Sequence, residues 1–118
     1  MAIRSFWDII ACRKGHELAI AVYEITKKFP KEETFGLTSQ MRRCAVSVPS
    51  NLAEGFKRHS KDDSIHFYKI AEGSLEELEY HLLLSKDLGY MSDIVFQRIE
   101  ILAEETGRLI YAWKKAQK

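Results

Sequence analysis

A chain of 118 residues, 46% hydrophobic and 30% charged, is one domain's length of polypeptide with enough apolar side chains to bury a core. Six glycines and two prolines are too few for a turn-rich β sandwich, a collagen or a disordered linker. The net charge of +1 removes the composition-level argument for a dedicated nucleic-acid binder. The two cysteines, Cys12 and Cys44, form no CxxC pair and read as buried free thiols of a reducing compartment. Ile9-Ile10-Ala11-Cys12 has the small-residue-before-cysteine look of a lipoprotein cleavage site. Asp8 interrupts the apolar run such a signal needs, so it is set aside. No stretch approaches the roughly 18 apolar residues of a membrane helix, and a cytoplasmic protein with no membrane partner is expected.

Four helices are predicted. In the first, Leu18, Val22, Ile25 and Phe29 make one buried stripe, and Phe29-Pro30 ends it. A polar connection pivots on Gly36, and Thr38 is the expected N-cap of the second helix. Its apolar set is Leu37, Met41, Cys44 or Ala45, Val48 and Leu52. The period keeps its phase across Pro49, so this helix should continue through it with a kink. Ser60, three residues before Asp63, opens the third helix. Its stripe is Phe67, Ala71, Ser74 or Leu75, Leu78, Leu82 and Leu88, stopped by Gly89. Ser92 caps a fourth helix carrying Val95, Ile99, Leu102, Leu109 and Trp113. Four helices joined by short turns predict a single all-α domain over residues 1–118, an up-down-up-down antiparallel bundle. Isolated Gly73 within helix three is expected to serve close helix packing.

The last two helices carry apolar side chains beyond one stripe: Ile65, Ile70, Tyr80, Leu83, Leu84, Ile94, Phe96, Ile101 and Ile110. A lone bundle needs about three apolar positions in seven, so the surplus predicts a second buried face and a homo-oligomer. Charge divides along the chain. Residues 1–58 hold ten Lys and Arg against six Asp and Glu, whereas residues 59–118 hold eight against eleven. A basic half can track phosphates in a neutral chain, through Arg13, Lys14, Lys27, Lys28, Lys31, Arg42, Lys57 and Arg58.

Helix two has a second, polar stripe in Gln40, Arg43, Ser47, Asn51, Glu54 and Arg58, whose spacing confines it to about 60° of the helix surface. A hairpin folded about residue 60 brings this stripe opposite Ser74, Glu77 and His81. A structural polar seam is expected, made of Gln40, Arg43, Ser47, Asn51, Glu54, Ser74 and Glu77, with Arg43 paired to Glu77.

Motifs for chemistry are sparse. A carboxylate-bridged di-metal bundle needs two Glu-x-x-His motifs, and the chain has only a distant cousin, Asp63-Ser64-Ile65-His66. Glu77 and His81 are spaced to share a metal, but zinc needs about four donors and the sequence offers no second cluster. No P-loop, GxGxxG or G-x-S-x-G occurs. No catalysis, cofactor or metal is expected.

Phe29-Pro30, Phe35-Gly36-Leu37-Thr38-Ser39-Gln40 and the run from Arg42 to Gly55, with its Ser-x-Pro-Ser-Asn-x-Ala-Glu-Gly core, closely resemble the four helix bundle protein family. This is also called the 23S ribosomal RNA intervening-sequence protein family. Ala71-Glu72-Gly73-Ser74, Glu77-Leu78 and Leu88-Gly89-Tyr90 continue the likeness, which runs from about Glu17 to Trp113. The resemblance implies an up-and-down bundle assembled into a homopentameric ring, with no enzymatic activity. It also implies kinship with the accessory variability determinant of diversity-generating retroelements, a basic barrel that binds nucleic acid and a reverse transcriptase. Two functions follow as expectations: association with RNA or DNA through basic residues of helices one and two, or a scaffold that docks a protein partner on the ring.

Overall fold

The computed structural model describes residues 2–118 and is all-helical, with four long helices. These are α1 (Ile10–Thr26), α2 (Leu37–Phe56), α3 (Lys61–Asp87) and α4 (Asp93–Lys115), preceded and interrupted by 3-10 turns at Phe6–Asp8 and Lys31–Glu33. Each helix packs against its sequence neighbours and α4 returns to α1, while the diagonal pairs stay apart. The result is a square antiparallel bundle measuring 44 × 25 × 19 Å. No helix among the described residues is long and apolar enough to cross a membrane.

Periodicity builds the core. α1 buries Ala11, Cys12, Gly15, Leu18, Ala19 and Val22, and α2 buries Met41, Cys44, Ala45, Val48 and Leu52. α3 contributes Tyr68, Ala71, Leu75, Leu78 and Leu82. Each of the large aliphatic side chains is worth about 1.5–3 kcal/mol when fully buried. α4 departs from the expected phase: its buried line is Phe96, Ile99, Ala103, Thr106 and Ile110. Val95, Leu102, Leu109 and Trp113 flank that line half-buried. Phe96 and Ile110, counted as surplus from the sequence, therefore belong to the core; the small Ala103 and Thr106 mark the closest line and carry little signal of their own.

The helix ends follow local hydrogen bonding. Ser60 Oγ accepts from the Asp63 N–H at 3.1 Å, and Ser92 Oγ accepts from the Val95 N–H at 3.2 Å, as expected of N-caps. Gly89 has φ of 81°, and the Tyr90 and Gly89 N–H groups return to the Ser85 and Lys86 carbonyls. That is a Schellman closure, and the left-handed residue in it calls for glycine. α1 ends earlier than expected, at Thr26, where 3-10-type bonds tighten the turn from Lys28 to Ile25 and from Phe29 to Thr26. Phe29 still reaches the core, 5.3 Å from the Tyr90 ring. Thr38 is not the N-cap of α2. Glu33 does that work from before the helix: its Oε1 accepts from the Leu37 N–H at 3.1 Å, and its Oε2 accepts from the Tyr90 hydroxyl at 2.8 Å. One carboxylate thus ties the α1–α2 connection to the α3–α4 connection. α2 runs unbroken through Pro49.

Of two helical glycines, Gly73 does not have the expected packing role and Gly55 has one. Gly73 is exposed, and a Cβ there would meet nothing within 4 Å, so helix packing does not explain it. Gly55 is the point of close approach: a Cβ there would sit 2.6 Å from Tyr68 Cε1 and 3.0 Å from the Ser64 carbonyl oxygen.

Candidate functional site

The α2/α3 hairpin carries a ladder of polar contacts. At one end Ser64 Oγ donates to the Gly55 carbonyl at 2.7 Å. Next, Ser47 Oγ and Ser74 Oγ meet at 2.7 Å, and Asn51 Nδ2 donates to the Ser47 carbonyl and hydroxyl at 2.8 and 2.9 Å. Further along, Cys44 Sγ lies 4.0 Å from His81 Nδ1, and His81 Nε2 lies 3.7 Å from Glu77 Oε2. At the far end Ser85 Oγ donates to Met41 Sδ at 3.4 Å. The seam joins Ser47, Asn51 and Ser74 as the sequence predicts. Arg43 does not pair with Glu77; it is exposed, and Glu77 faces His81 on its own helix. Gln40 is exposed, and Glu54 pairs with Arg58, just past the end of α2, at 3.4 Å. The hairpin register explains the exchange. Ser47 meets Ser74, a register that sets Cys44, not Arg43, opposite Glu77 and His81.

Burial, with Glu77 beside it, pushes the Cys44 thiol up to about 12, and burial pushes Cys12 up to about 11. Cys44, His81 and Glu77 have the order of a nucleophile, a base and an orienting carboxylate. A thiol raised this far is protonated at neutral pH, the opposite of an activated nucleophile.

The expected basic face divides between the two ends of the bundle, because α1 and α2 run antiparallel. Arg13, Lys14, Lys57 and Arg58 lie at one end, and much of their capacity is engaged. Lys14 pairs with Glu17 at 3.3 Å and with Glu105 of α4 at 3.4 Å, and these partners raise its pKa. Arg58 stacks 4.4 Å over Phe67 and Lys57 lies 5.8 Å over Phe56, while Arg13 donates to the Trp7 carbonyl.

At the other end Lys27, Lys28, Lys31, Arg42 and Arg43 gather around the α1–α2 connection. Lys27 pairs with Glu24 at 3.1 Å; Lys28 and Lys31 are exposed. Here Tyr23, Thr34, Phe35, Thr38, Ser39, Arg42, Arg43 and Val46 line an open groove of about 490 Å³. Arg42 lies 4.5 Å over the Tyr23 ring and its Nε donates to Thr26 Oγ1 at 2.9 Å, so its guanidinium is held over an aromatic face. Phe35 is 96% exposed, an uncovered ring beside two guanidinium groups. Sequence reasoning found Arg42 but missed Tyr23 and Phe35. A large aromatic in the polar connection between Lys31 and Gly36 was the available signal.

These features define an antiparallel four-helix bundle with a polar hairpin seam and one arginine–aromatic groove. Residues 8–112 match the family model described as 23S rRNA-intervening sequence protein, and the chain belongs to that family. Its fold is similar to that of a crystal structure from Bacteroides thetaiotaomicron VPI-5482, of a protein with unknown function from the S23 ribosomal protein family. The two share 23% identity with a TM-score of 0.80, over 90% of this chain and 99% of that one. None of the curated proteins compared matches the chain.

Proposed function

We propose that this protein is a non-enzymatic cytoplasmic nucleic-acid-associating subunit that works as a homo-oligomeric ring, a pentamer by family resemblance. The observation that carries the reading is the groove in which Arg42 and Arg43 stand beside Tyr23 and the uncovered Phe35. Guanidinium groups neutralise phosphates, aromatic faces stack unpaired bases, and the Thr34 and Ser39 hydroxyls supply adaptable hydrogen bonds. Together they suit single-stranded or looped nucleic acid better than a regular duplex. A ring repeats the groove around its axis, which lets a nearly neutral chain present a multivalent basic surface.

Two features support assembly. Ile94, Ile101 and Tyr80 are 64%, 57% and 59% exposed on α4 and α3, an unusual apolar load for a free surface. The same two helices bring Glu76, Glu79, Glu100 and Glu104 together, and burial first, then the three neighbouring carboxylates, raises the Glu79 pKa. An acidic, apolar face opposite a basic one favours head-to-tail contacts between copies, the kind that closes rings. Replacing Ile101 with Asp should lower the solution mass measured by light scattering; an unchanged multimer would place the interface elsewhere.

The groove is tested by fluorescence anisotropy with a labelled RNA hairpin at low and physiological salt. Affinity should fall by about 0.7–0.9 log units per log unit of salt for each phosphate neutralised. Arg43→Ala should flatten that slope, and Phe35→Ala should cost about 1–3 kcal/mol at every salt concentration. Absence of binding at low salt overturns the reading. The same exposed apolar side chains would then favour the second one, a scaffold whose ring docks a protein partner.

A further inference from the structure

Away from the groove, one point of the α2/α3 seam gathers three donors that the nucleic-acid reading does not use. Cys44 of α2 and Glu77 and His81 of α3 each bring one ligand atom within 4.8 Å of the other two. Glu77 and His81 stand one helical turn apart on the same face, and Cys44 comes from the turn of α2 that faces them. We infer that Cys44, Glu77 and His81 form a binding site for a divalent transition-metal ion, with zinc the chemistry they suit best.

The donor set selects the ion. A thiolate with an imidazole and a carboxylate is the borderline-soft combination zinc takes, whereas calcium and magnesium want six or more oxygens. Zinc bonds of about 2.3 Å to sulfur and 2.0–2.2 Å to nitrogen and oxygen set donors roughly 3.3–3.6 Å apart in a tetrahedron. An imidazole gives the ion only one of its nitrogens; Cys44 Sγ lies 4.0 Å from Nδ1 and Glu77 Oε2 lies 3.7 Å from Nε2, and with one nitrogen per site the three donor atoms lie within 4.8 Å of one another, outside that range. Binding requires the Glu77 carboxylate to swing toward the nitrogen that faces Cys44, and the groups differ in freedom to move. The His81 side chain is only 13% exposed and the thiol is buried, so two donors are held by the bundle. Glu77, with 55% of its side chain exposed, is free to swing onto the ion from the solvent side, which also gives the entry path. On binding, the Cys44 sulfur exchanges its proton for the metal and the proton leaves to water; no oxidation state changes. Three protein ligands leave the fourth position open, toward solvent, for a water or an outside donor.

The site is independent of the groove and is tested separately on the full chain, reduced and stripped with chelator. Titration with cobalt(II) should give one ion per chain, with the near-ultraviolet thiolate-to-cobalt charge-transfer band and the strong visible bands of a tetrahedral ion, both bleached by zinc. Cys44→Ser should abolish the charge-transfer band, and Cys12→Ala, which alters the other free thiol, should leave it. Glu77→Gln, at a position with 55% of its side chain exposed, should weaken binding at least about tenfold. A wild-type titration without the charge-transfer band overturns the proposal, as does a band that survives Cys44→Ser or an affinity unmoved in Glu77→Gln.

Discussion

Alanine at Gly55 and at Gly73 should shift stability in opposite directions, although both glycines sit inside helices. At Gly55 the new methyl would lie 2.6 Å from Tyr68 Cε1, 3.0 Å from Cδ1 and 3.0 Å from the Ser64 carbonyl oxygen. Neither neighbour yields easily. The Tyr68 ring is fully buried against Trp113, 6.2 Å between centroids, and the Ser64 oxygen is main chain whose own hydroxyl holds the Gly55 carbonyl. Gly-to-Ala exchange gains about 0.5–1 kcal/mol from the unfolded chain and helix propensity. Overpacking costs about 1–3 kcal/mol, and contact on a buried ring and on backbone belongs at the upper end. The net expectation for Gly55→Ala is a loss of about 2 kcal/mol. Gly73→Ala keeps the whole gain of about 0.5–1 kcal/mol, because its Cβ meets nothing within 4 Å. Urea unfolding at unchanged m reads both, and the two variants should differ by roughly 10 °C in Tm. A Gly55→Ala midpoint at or above wild type would refute the claim that Tyr68 and Ser64 lock the seam. A Gly73→Ala midpoint below wild type would mean that a second copy covers that face of α3.

Three further outcomes are expected. Ser47→Ala removes the partner of the Ser74 hydroxyl and one of the Asn51 acceptors, and should cost about 1–2 kcal/mol; a Ser47/Ser74 double-mutant cycle showing no coupling would argue against the pair. Burial first, then Glu76, Glu104 and Glu100, raises the Glu79 carboxyl above its ordinary value of 4.5. With the folded pKa above the unfolded one, its favourable contribution is complete below that value and lost as pH rises. Glu79→Gln should therefore stabilise by about 0.5 kcal/mol at neutral pH and give nothing under acid conditions, by denaturant titration at both. A neutral-pH gain of zero would show the four carboxylates do not repel as placed. In the metal-free chain Cys12 and Cys44 are raised from 9.0 to about 11 and about 12, so only the unfolded chain ionises them as pH first passes 9.0. Stability should fall by about 1.4 kcal/mol per pH unit per thiol above that point, and Cys12→Ala/Cys44→Ala should flatten the fall. An equal slope in the double variant would assign the alkaline loss to other groups.

Much of the fold is legible because it rests on redundant signals. The stripes of α1, α2 and α3, the Ser60 and Ser92 caps and the Gly89 stop each involve several residues that agree. The errors fall where a single residue decides. Glu33 rather than Thr38 holds the start of α2 because its carboxylate answers both the Leu37 N–H and the Tyr90 hydroxyl, a partner 57 positions away. In α4 two apolar lines compete, and the choice is made by the small Ala103 and Thr106, whose sizes matter only against the facing helices. Gly73 looked like a packing glycine and Gly55 went unremarked, since a glycine's neighbours across an interface leave no trace in local spacing.

The candidate sites were less legible for a sharper reason, which is register. A hairpin folded about residue 60 puts Arg43 opposite Glu77 and makes the seam a charged pair. The actual pairing of Ser47 with Ser74 turns α3 so that His81 and Glu77 meet Cys44 instead. Moving from Arg43 to Cys44 is one residue along α2 and about 100° around it. That small rotation changes the chemistry of the seam from a salt bridge to a thiol–imidazole–carboxylate set, while leaving the apolar stripe and the bundle unchanged. Cys44 could be assigned to the core by size, because a free cysteine packs as a small hydrophobe. The groove obeys the same logic: Arg42 reaches Tyr23 and Thr26, 19 and 16 positions back, only through the α1/α2 register. Hydrophobic burial tolerates such rotations because it is non-directional, whereas donors and charges meet only when the register is right. A bundle therefore shows its core in its sequence well before it shows its sites.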